Sequence, residues 1–279
     1  MVKVALLFSI GNVTRFKEIE QIMAPEDSKS LSQDRFGQFA EAYVTSKSHA
    51  TGKGLDRLLE IANPRPGWLV LDIATGGGHT ALRFAPQVGR VVASDLTPRM
   101  LENAREFIDR ENVRYVASDA ENLGFANHTF DLVTCRIAPH HFPDCFRFVQ
   151  ECARVVKPGG SVLVQDHVTP EDDRAARYVD AFERLRDPSH HRAFAAYEWQ
   201  GMFLDAGLSV KHVELISKPT GGFAKWAERQ HCTPETIQKL QIMMAQAPQA
   251  VAEFMRPRQV RTPEADFDHN YILILGIKD

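Results

Sequence analysis

The sequence has few cysteines, and none of them falls in a pattern that chemistry would use. Cys135, Cys145, Cys152 and Cys232 are the only four among 279 residues, with no C-x-x-C pair and no metal-ligand spacing. That excludes a disulfide framework and reads as reduced, buried thiols. His190-His191 and His231-Cys232 do not restore a metal reading, because adjacent residues rarely ligate one ion, and no metal is expected. An excess of charge of one sign is also lacking. Lys and Arg number 33 against 36 Asp and Glu, a formal net charge of -3, with no basic block to hold nucleic acid or anionic lipid. No stretch approaches the roughly 18 to 20 apolar residues of a membrane span. The opening run Val4 to Ile10 has only Lys3 as a preceding charge and meets Arg15, Lys17 and Glu18 soon after. A secretion signal needs a longer apolar core and a small-residue cleavage site, so the expected location is cytoplasmic. Internal repeats and low-complexity tracts are missing too.

What is present is ordinary globular composition, 44% hydrophobic and 25% charged, in a chain long enough for a sizeable core. Residues 1–29 fit poorly with the rest of the chain and read as an N-terminal extension. From 30 to 279 the chain reads as a single domain. Its first part, 30–63, carries two helical patterns, one through Leu31, Phe36, Phe39, Ala40 and Tyr43 and one from Thr51 to Ala62, expected as a helical cap. Pro64 and Pro66 end the second.

Between 64 and 168 the texture changes. Trp68 to Ile73, Val91 to Ser94, Val113 to Val116, Phe130 to Cys135 and Ser161 to Gln165 are apolar runs of buried-strand type, with helical stretches of about ten residues between them. Pro158-Gly159-Gly160 reads as a tight turn. Strands alternating with helices predict a parallel sheet covered on both faces. Between 169 and 279 two more helices precede a sixth strand at Leu208-Ser209-Val210, and Tyr271 to Ile277 is a last strand. About fifty residues, 219–268, separate these two and form a helical insertion surplus to a minimal fold. Insertions at the rim of a rigid scaffold are where specificity tends to sit. The string Phe194, Tyr197, Trp199, Phe203, Phe223 and Trp226 is expected between the sheet and this insertion.

The central motif is Leu71-Asp72-Ile73-Ala74-Thr75-Gly76-Gly77-Gly78-His79-Thr80, which follows a strand and opens a helix as a nucleotide-binding loop must. Its glycines permit positive φ and close approach of backbone to a ligand. Gly76-x-Gly78-x-x-Ala81 alone would also fit a dinucleotide fingerprint. Asp72 discriminates: a carboxylate there would repel a pyrophosphate and suits a ligand that brings a cation, unless it serves as a turn cap. Asp95 closes the second strand, followed by Leu96, and can accept two hydrogen bonds from a ribose diol. Asp119 closes the third, placed for an adenine amino group, with the Ala120 amide beside the ring. Three acids at three successive strand ends mark the carboxyl edge of the sheet, where open α/β sheets bind ligands.

With these residues in view, the sequence resembles the class I methyltransferases that use S-adenosylmethionine (SAM). Asp72 to Gly78 looks like their first motif, Asp95 their ribose-binding acid, and Asp119-Ala120 their adenine contact. Phe130-Asp131-Leu132-Val133 and Arg154 to Gly160 look like the motifs of the fourth strand and of the turn before the fifth. His140-His141-Phe142 is similar to the ubiquinone/menaquinone C-methyltransferases. Arg184 to His190, Glu198-Trp199 and the late insertion are similar to small bacterial methyltransferases without an assigned substrate. The resemblance implies a Rossmann-like α/β fold of seven strands, mostly parallel with the last antiparallel. It implies SAM as cofactor, S-adenosylhomocysteine as product, and Tyr43 and His49 closing over the cofactor.

Methyl transfer needs in-line placement of an acceptor and, where a proton must leave, a base. Candidates past strands four and five are Arg136, His140, His141, Asp166 and His167. His141 is suited to act as a base, and Arg136 to orient an anionic acceptor, although a loop hydrogen bond and an ion pair are the structural alternatives. The helix-covered rim favours a small-molecule acceptor over a macromolecule, and self-association as a homodimer is left open. An NAD(P)-dependent oxidoreductase is disfavoured by Asp72 and Asp119 and by the lack of a Tyr-x-x-x-Lys pair. A non-enzymatic SAM-binding protein would show the same motifs.

Overall fold

The computed structural model describes residues 28–37 and 53–279. A helix, α1, runs through 28–37, and α2 spans Lys53–Ala62. The alternating part follows as β1 (Leu69–Ile73), α3 (His79–Phe84), β2 (Arg90–Asp95), α4 (Pro98–Phe107), β3 (Val113–Ala117), β4 (Phe130–Arg136), α5 (Cys145–Val155) and β5 (Val156–Thr169). Then come α6 (Asp173–Arg186), the short β6 (Phe194–Ala195), α7 (Ala196–Asp205), β7 (Leu208–Pro219), α8 (Phe223–Glu228), α9 (Pro234–Ala245), α10 (Gln249–Met255) and β8 (Asp268–Lys278). The main sheet has the order β3-β2-β1-β4-β5-β8-β7, with β6 paired to β5 outside that path. β1 to β5 pair in parallel, and β8 lies antiparallel to both β5 and β7. This is the expected α/β fold.

The pleat decides what each helix covers. Along β1, Leu71 and Ile73 point to one core with Val133, Val162 and Val164, where Phe148 and Cys152 of α5 and Trp199 and Phe203 of α7 pack. Val70 points to the other with Leu132, Leu163 and Leu273, against Leu55 and Leu58 of α2 and Phe84 of α3. So α2, expected as part of a cap, is a packed face helix. Successive side chains of a strand alternate sides, which is why a doubly covered sheet reads as unbroken apolar runs.

Two strands exceed their expected lengths. β5 begins at Val156, so Pro158-Gly159-Gly160 is no free turn but an irregular start to the strand, with the β4 register shifting between Phe130 and Leu132. Gly159 has φ 74°, and a Cβ on Gly160 would lie 2.8 Å from the Asp131 carbonyl oxygen. β7 and β8 pair from Leu208↔Lys278 to Pro219↔Asp268, and the insertion begins where that ladder ends.

The insertion makes its own core with α6, through Val179, Phe182, Trp226, Leu240, Met244 and Phe267. The expected aromatic string is thereby divided: Trp199 and Phe203 belong to the sheet, Phe223 and Trp226 to the insertion, and Tyr197 is 51% exposed. Trp226 is fully buried, stacked on Phe182 at 5.2 Å and covered by the Arg186 guanidinium at 4.5 Å. Replacing Trp226 with Ala should cost about 3–5 kcal/mol in urea unfolding, the scale of a large aromatic cavity. Its indole N–H bonds nothing among the described residues, so Trp226→Phe should cost clearly less. Equal losses in the two variants would show that the indole edge, and not packed volume, holds the insertion.

Candidate active site

A cavity of about 1080 Å³, counting the space open at its mouth, lies at the carboxyl edge of the parallel strands. Its wall combines the loop after β1, the ends of β2 and β3, the segment after β4 and one side of α1.

The loop after β1 is a string of left-handed residues, Ala74 at φ 51°, Gly76 at 54° and Gly78 at 84°. Only Gly78 also needs the space. A Cβ there would sit 2.6 Å from Ile108 Cδ1 and 3.1 Å from Ala104 Cβ, where α4 packs against the loop. The Thr75 N–H donates to the Ser94 carbonyl and the Gly78 N–H to the Thr75 carbonyl, each at 2.9 Å. Ala74, Thr75 and Gly76 face the cavity, whereas Gly78 is not on its wall.

Asp72 is not on the wall either. It is 1% exposed, accepting the Thr75 hydroxyl at 2.6 Å and the Thr134 hydroxyl at 2.9 Å. Burial pushes its carboxyl up to about 6 against the pull of those hydroxyls. The expectation that Asp72 and Gly78 touch the ligand is therefore corrected. They set the loop's shape from behind, because the last turn of β1 aims the carboxylate at the neighbouring strand.

Asp95 does face the cavity. One carboxylate oxygen accepts the Gly76 N–H and the other the Thr97 N–H, both at 2.9 Å. Each oxygen keeps a lone pair, and burial raises the carboxyl to about 6. Leu96 lies beside it, and Asp119 and Ala120 line the far end. Asp119 accepts the Glu121 N–H at 2.9 Å and pairs with Lys29 at 2.7 Å. Lys29 also pairs with Glu121 at 2.5 Å.

These ion pairs hold α1 across the cavity. Farther along the helix, Gln33 donates to the Leu96 carbonyl at 3.0 Å, Arg35 pairs with Asp187 at 3.3 Å, and the Phe36 ring stands edge-on to His141 at 5.0 Å. Tyr43 and His49 lie outside the described residues.

Past β4, Arg136 and His141 line the cavity. Between them Ile137 has φ 53°, a strained setting for a β-branched residue, held by its N–H donating to the Gln165 carbonyl at 2.7 Å. His141 meets the Ser189 carbonyl at 2.9 Å through Nδ1. A carbonyl can only accept, so Nδ1 carries the proton and Nε2 keeps its lone pair. The Ser189 hydroxyl, 3.3 Å from the same nitrogen, donates to Asp187 at 2.6 Å. Burial lowers the His141 pKa, leaving the ring neutral at pH 7.

His140 and Asp166 are not on the cavity wall. They form a buried pair, His140 Nδ1 to Asp166 Oδ1 at 2.6 Å. Asp166 follows the face of Val164 and Val168, opposite to Gln165 and His167, so the pleat turns it away. Direct catalytic roles for these two are corrected to a place in the supporting layer. Sequence reasoning missed Lys29, Phe36, Asp187 and Ser189 as members of the site. Lys29 and Phe36 recur at helical spacing, but nothing local aims them. Arg184 to His190 stood out as a segment, and only tertiary contact ties it to His141.

Behind His141 runs a row of rings. His140 lies 4.1 Å from His141 and 4.5 Å from His167, which is 5.0 Å from His269. His190 and His269 pair with Asp180 and Glu183 at 2.8 and 3.0 Å. Among the described residues no group of three His, Cys, Asp or Glu could hold a metal ion.

Residues 71–164 match the family model described as methyltransferase domain. The uncharacterized methyltransferase YcgJ of Bacillus subtilis (strain 168) is 40% identical over 197 residues, 70% of this chain and 78% of the relative. The crystal structure of the Bacillus subtilis YcgJ protein superposes with a TM-score of 0.77 at 35% identity, covering 80% of this chain and 97% of that one. A ubiquinone/menaquinone biosynthesis C-methyltransferase of Idiomarina loihiensis is 34% identical over 162 residues, 54% of this chain and 64% of the relative. The chain belongs to this methyltransferase family, with the class I fold.

The row of rings has a consequence for stability. Burial, aided by neighbouring imidazoles for His140 and His167, lowers the pKa of His140, His141 and His167 in the folded chain. Unfolded, each would take up a proton near pH 6.5 that the folded chain refuses. Stability is therefore full above that pH and falls as pH drops through it. Asp166 works the other way, since burial raises it to about 7 and the folded chain keeps a proton there. Three protons against one leaves a net loss of about 2–3 kcal/mol per pH unit below roughly pH 6. Urea midpoints measured from pH 7.5 to 5 should fall steeply, and a flat profile would mean that the imidazoles are hydrated.

Proposed function

We propose that the chain is a SAM-dependent methyltransferase whose acceptor is a small molecule. The observation that carries this reading is that one cavity gathers the glycine loop and the acids of two strand ends. The residues fit the cofactor's parts. Asp95 keeps one lone pair on each oxygen for a ribose diol while its other contacts stay within the backbone. Asp119 and Ala120 stand at the far end, one strand away, where an adenine would lie, and Ala74, Thr75 and Gly76 are left for the amino-acid part. When bound, SAM supplies a methyl group on a cationic sulfur, open to in-line attack.

The chain's own residues have three tasks. The segment Arg136 to Pro143 forms the wall across which an acceptor faces the cofactor. His141 presents Nε2 as the base for an acceptor that must lose a proton, its tautomer fixed by Ser189. Phe36 and Phe142 exclude water beside it. The α1 helix narrows the entrance, which suits a small acceptor.

Titration calorimetry with SAM, S-adenosylhomocysteine and NADH separates the candidate ligands, and the first two should bind while NADH should not. Binding of NADH alone would overturn the reading. Asp95→Ala should weaken SAM binding by more than about 1 kcal/mol, the scale of a lost charged hydrogen bond. Unchanged affinity would place the ribose elsewhere. Because the His141 pKa is lowered, the acid limb of kcat/KM should fall below pH 6.5, and His141→Gln should remove that limb. A limb that persists in this variant would assign the base to another group.

A further inference from the structure

Past the cofactor cavity the sheet carries cations that the described acids do not neutralise. Arg136 pairs in register with Gln165 of β5, Gln165 with Leu273 of β8, Tyr271 of β8 with Ile216 of β7, and Lys218 lies two residues beyond Ile216. Side chains two apart along a strand, or opposite across a ladder, share a face. Arg136, Gln165, Tyr271 and Lys218 therefore stand on one face at one edge of the sheet. The Lys218 ammonium sits over the Tyr271 ring, 4.6 Å from its centre. Arg136 spends its Nε–H on Gln165 Oε1 at 3.1 Å.

Among the described residues, neither cation has a carboxylate within 4 Å. Asp72 reaches Arg136 only through its field and is committed to two threonines. Lys218 has a solvent-exposed side chain, yet close packing around its ammonium, with Arg136 and Arg229 nearby, pulls its pKa down. Like charges brought together in a half-dry site cost stability unless an anion joins them. Arg136 lines the cofactor cavity while Lys218 and Tyr271 do not, so the face begins at the cofactor and leads away from it.

We propose that Arg136, Tyr271 and Lys218 bind an anionic group, a carboxylate or phosphate, carried by the methyl acceptor. Arg136 would hold the anion nearest the transferred methyl, Lys218 would close the outer side, and the Tyr271 ring would form an apolar floor. The acceptor is then a small organic acid or phosphate ester. The assignment rests on the methyltransferase reading for its meaning, but anion binding can be measured apart from it.

The experiment is calorimetry on the full chain, with and without saturating S-adenosylhomocysteine, using benzoate and phenyl phosphate against the neutral benzamide and benzyl alcohol. The anions should bind about tenfold or more tighter than their neutral counterparts, the ratio expected for one charge-assisted contact. Lys218→Gln should erase most of that ratio and leave S-adenosylhomocysteine affinity within about twofold. Equal binding of acids and neutral partners, or no binding of either anion, overturns the proposal. So does a Lys218→Gln chain that loses affinity for S-adenosylhomocysteine but not for 5′-methylthioadenosine, which lacks the amino-acid carboxylate. That result would give the cations to the cofactor. Failure of the wild type to bind S-adenosylhomocysteine would count against the cofactor reading alone, because the titrations without it still report on the anion site.

Discussion

The site depends on one buried carboxylate. Asp72 sits where β1 ends, and its two oxygens tie the Thr75 hydroxyl of the following loop to the Thr134 hydroxyl of β4. A charge or proton held at 1% exposure is tolerated only when its partners are fixed, so the contact fixes loop and strand relative to each other. From that anchor the backbone turns left-handed at Ala74 and Gly76, which aims the Gly76 N–H at Asp95 on the next strand. The ends of β1, β2 and β4 thus share a network in which each acid is held by the element beside it. Movement at any one of these ends would open a gap at the other two.

The other half of the cavity is fixed by a different principle. Around His141 the contacts come from parts of the chain far apart in sequence: Phe36 of α1, Ser189 after α6, and His140 with Asp166 beneath. Their packing keeps the ring neutral and orients it by one backbone carbonyl. The strain at Ile137 belongs here as well. An isoleucine at φ 53° is held by its bond to β5 and by its place between two cavity-lining side chains. The cofactor half is built from local turns, and the acceptor half from long-range contacts.

That division explains what could be read from the sequence. The five alternating strands, the glycine loop and Asp95 and Asp119 are legible because each is encoded within a few residues: an apolar run, a turn, an acid at the strand end. The insertion was legible as surplus length between Leu208-Ser209-Val210 and Tyr271 to Ile277. Asp72 was legible as an acid that matters, but its direction was not, since Thr134 is sixty-two positions away. His140 and His141 look alike in sequence, and only the one-turn helix Pro139–His141 sends one to the cavity and the other to Asp166. Lys29 fell within what read as an extension, because its partners Asp119 and Glu121 are supplied by the far side of the fold.

The lengths of β7 and β8 follow from the same logic. A minimal sheet would need only enough of β7 to cover the edge of β8. Here the ladder runs on to Pro219↔Asp268, beyond the point where β5 leaves it at His167↔Tyr271. The extra residues carry Lys218, His269 and the root of the insertion past the carboxyl edge of the parallel strands. The insertion then packs on α6, whose Glu183 holds His269 and whose C-terminal side leads to Asp187 and Ser189. One packing unit therefore supports both the cation face and the carbonyl that orients His141. A change of acceptor in a relative would be accommodated by repacking this unit, while the Asp72 anchor and the cofactor half stayed as they are.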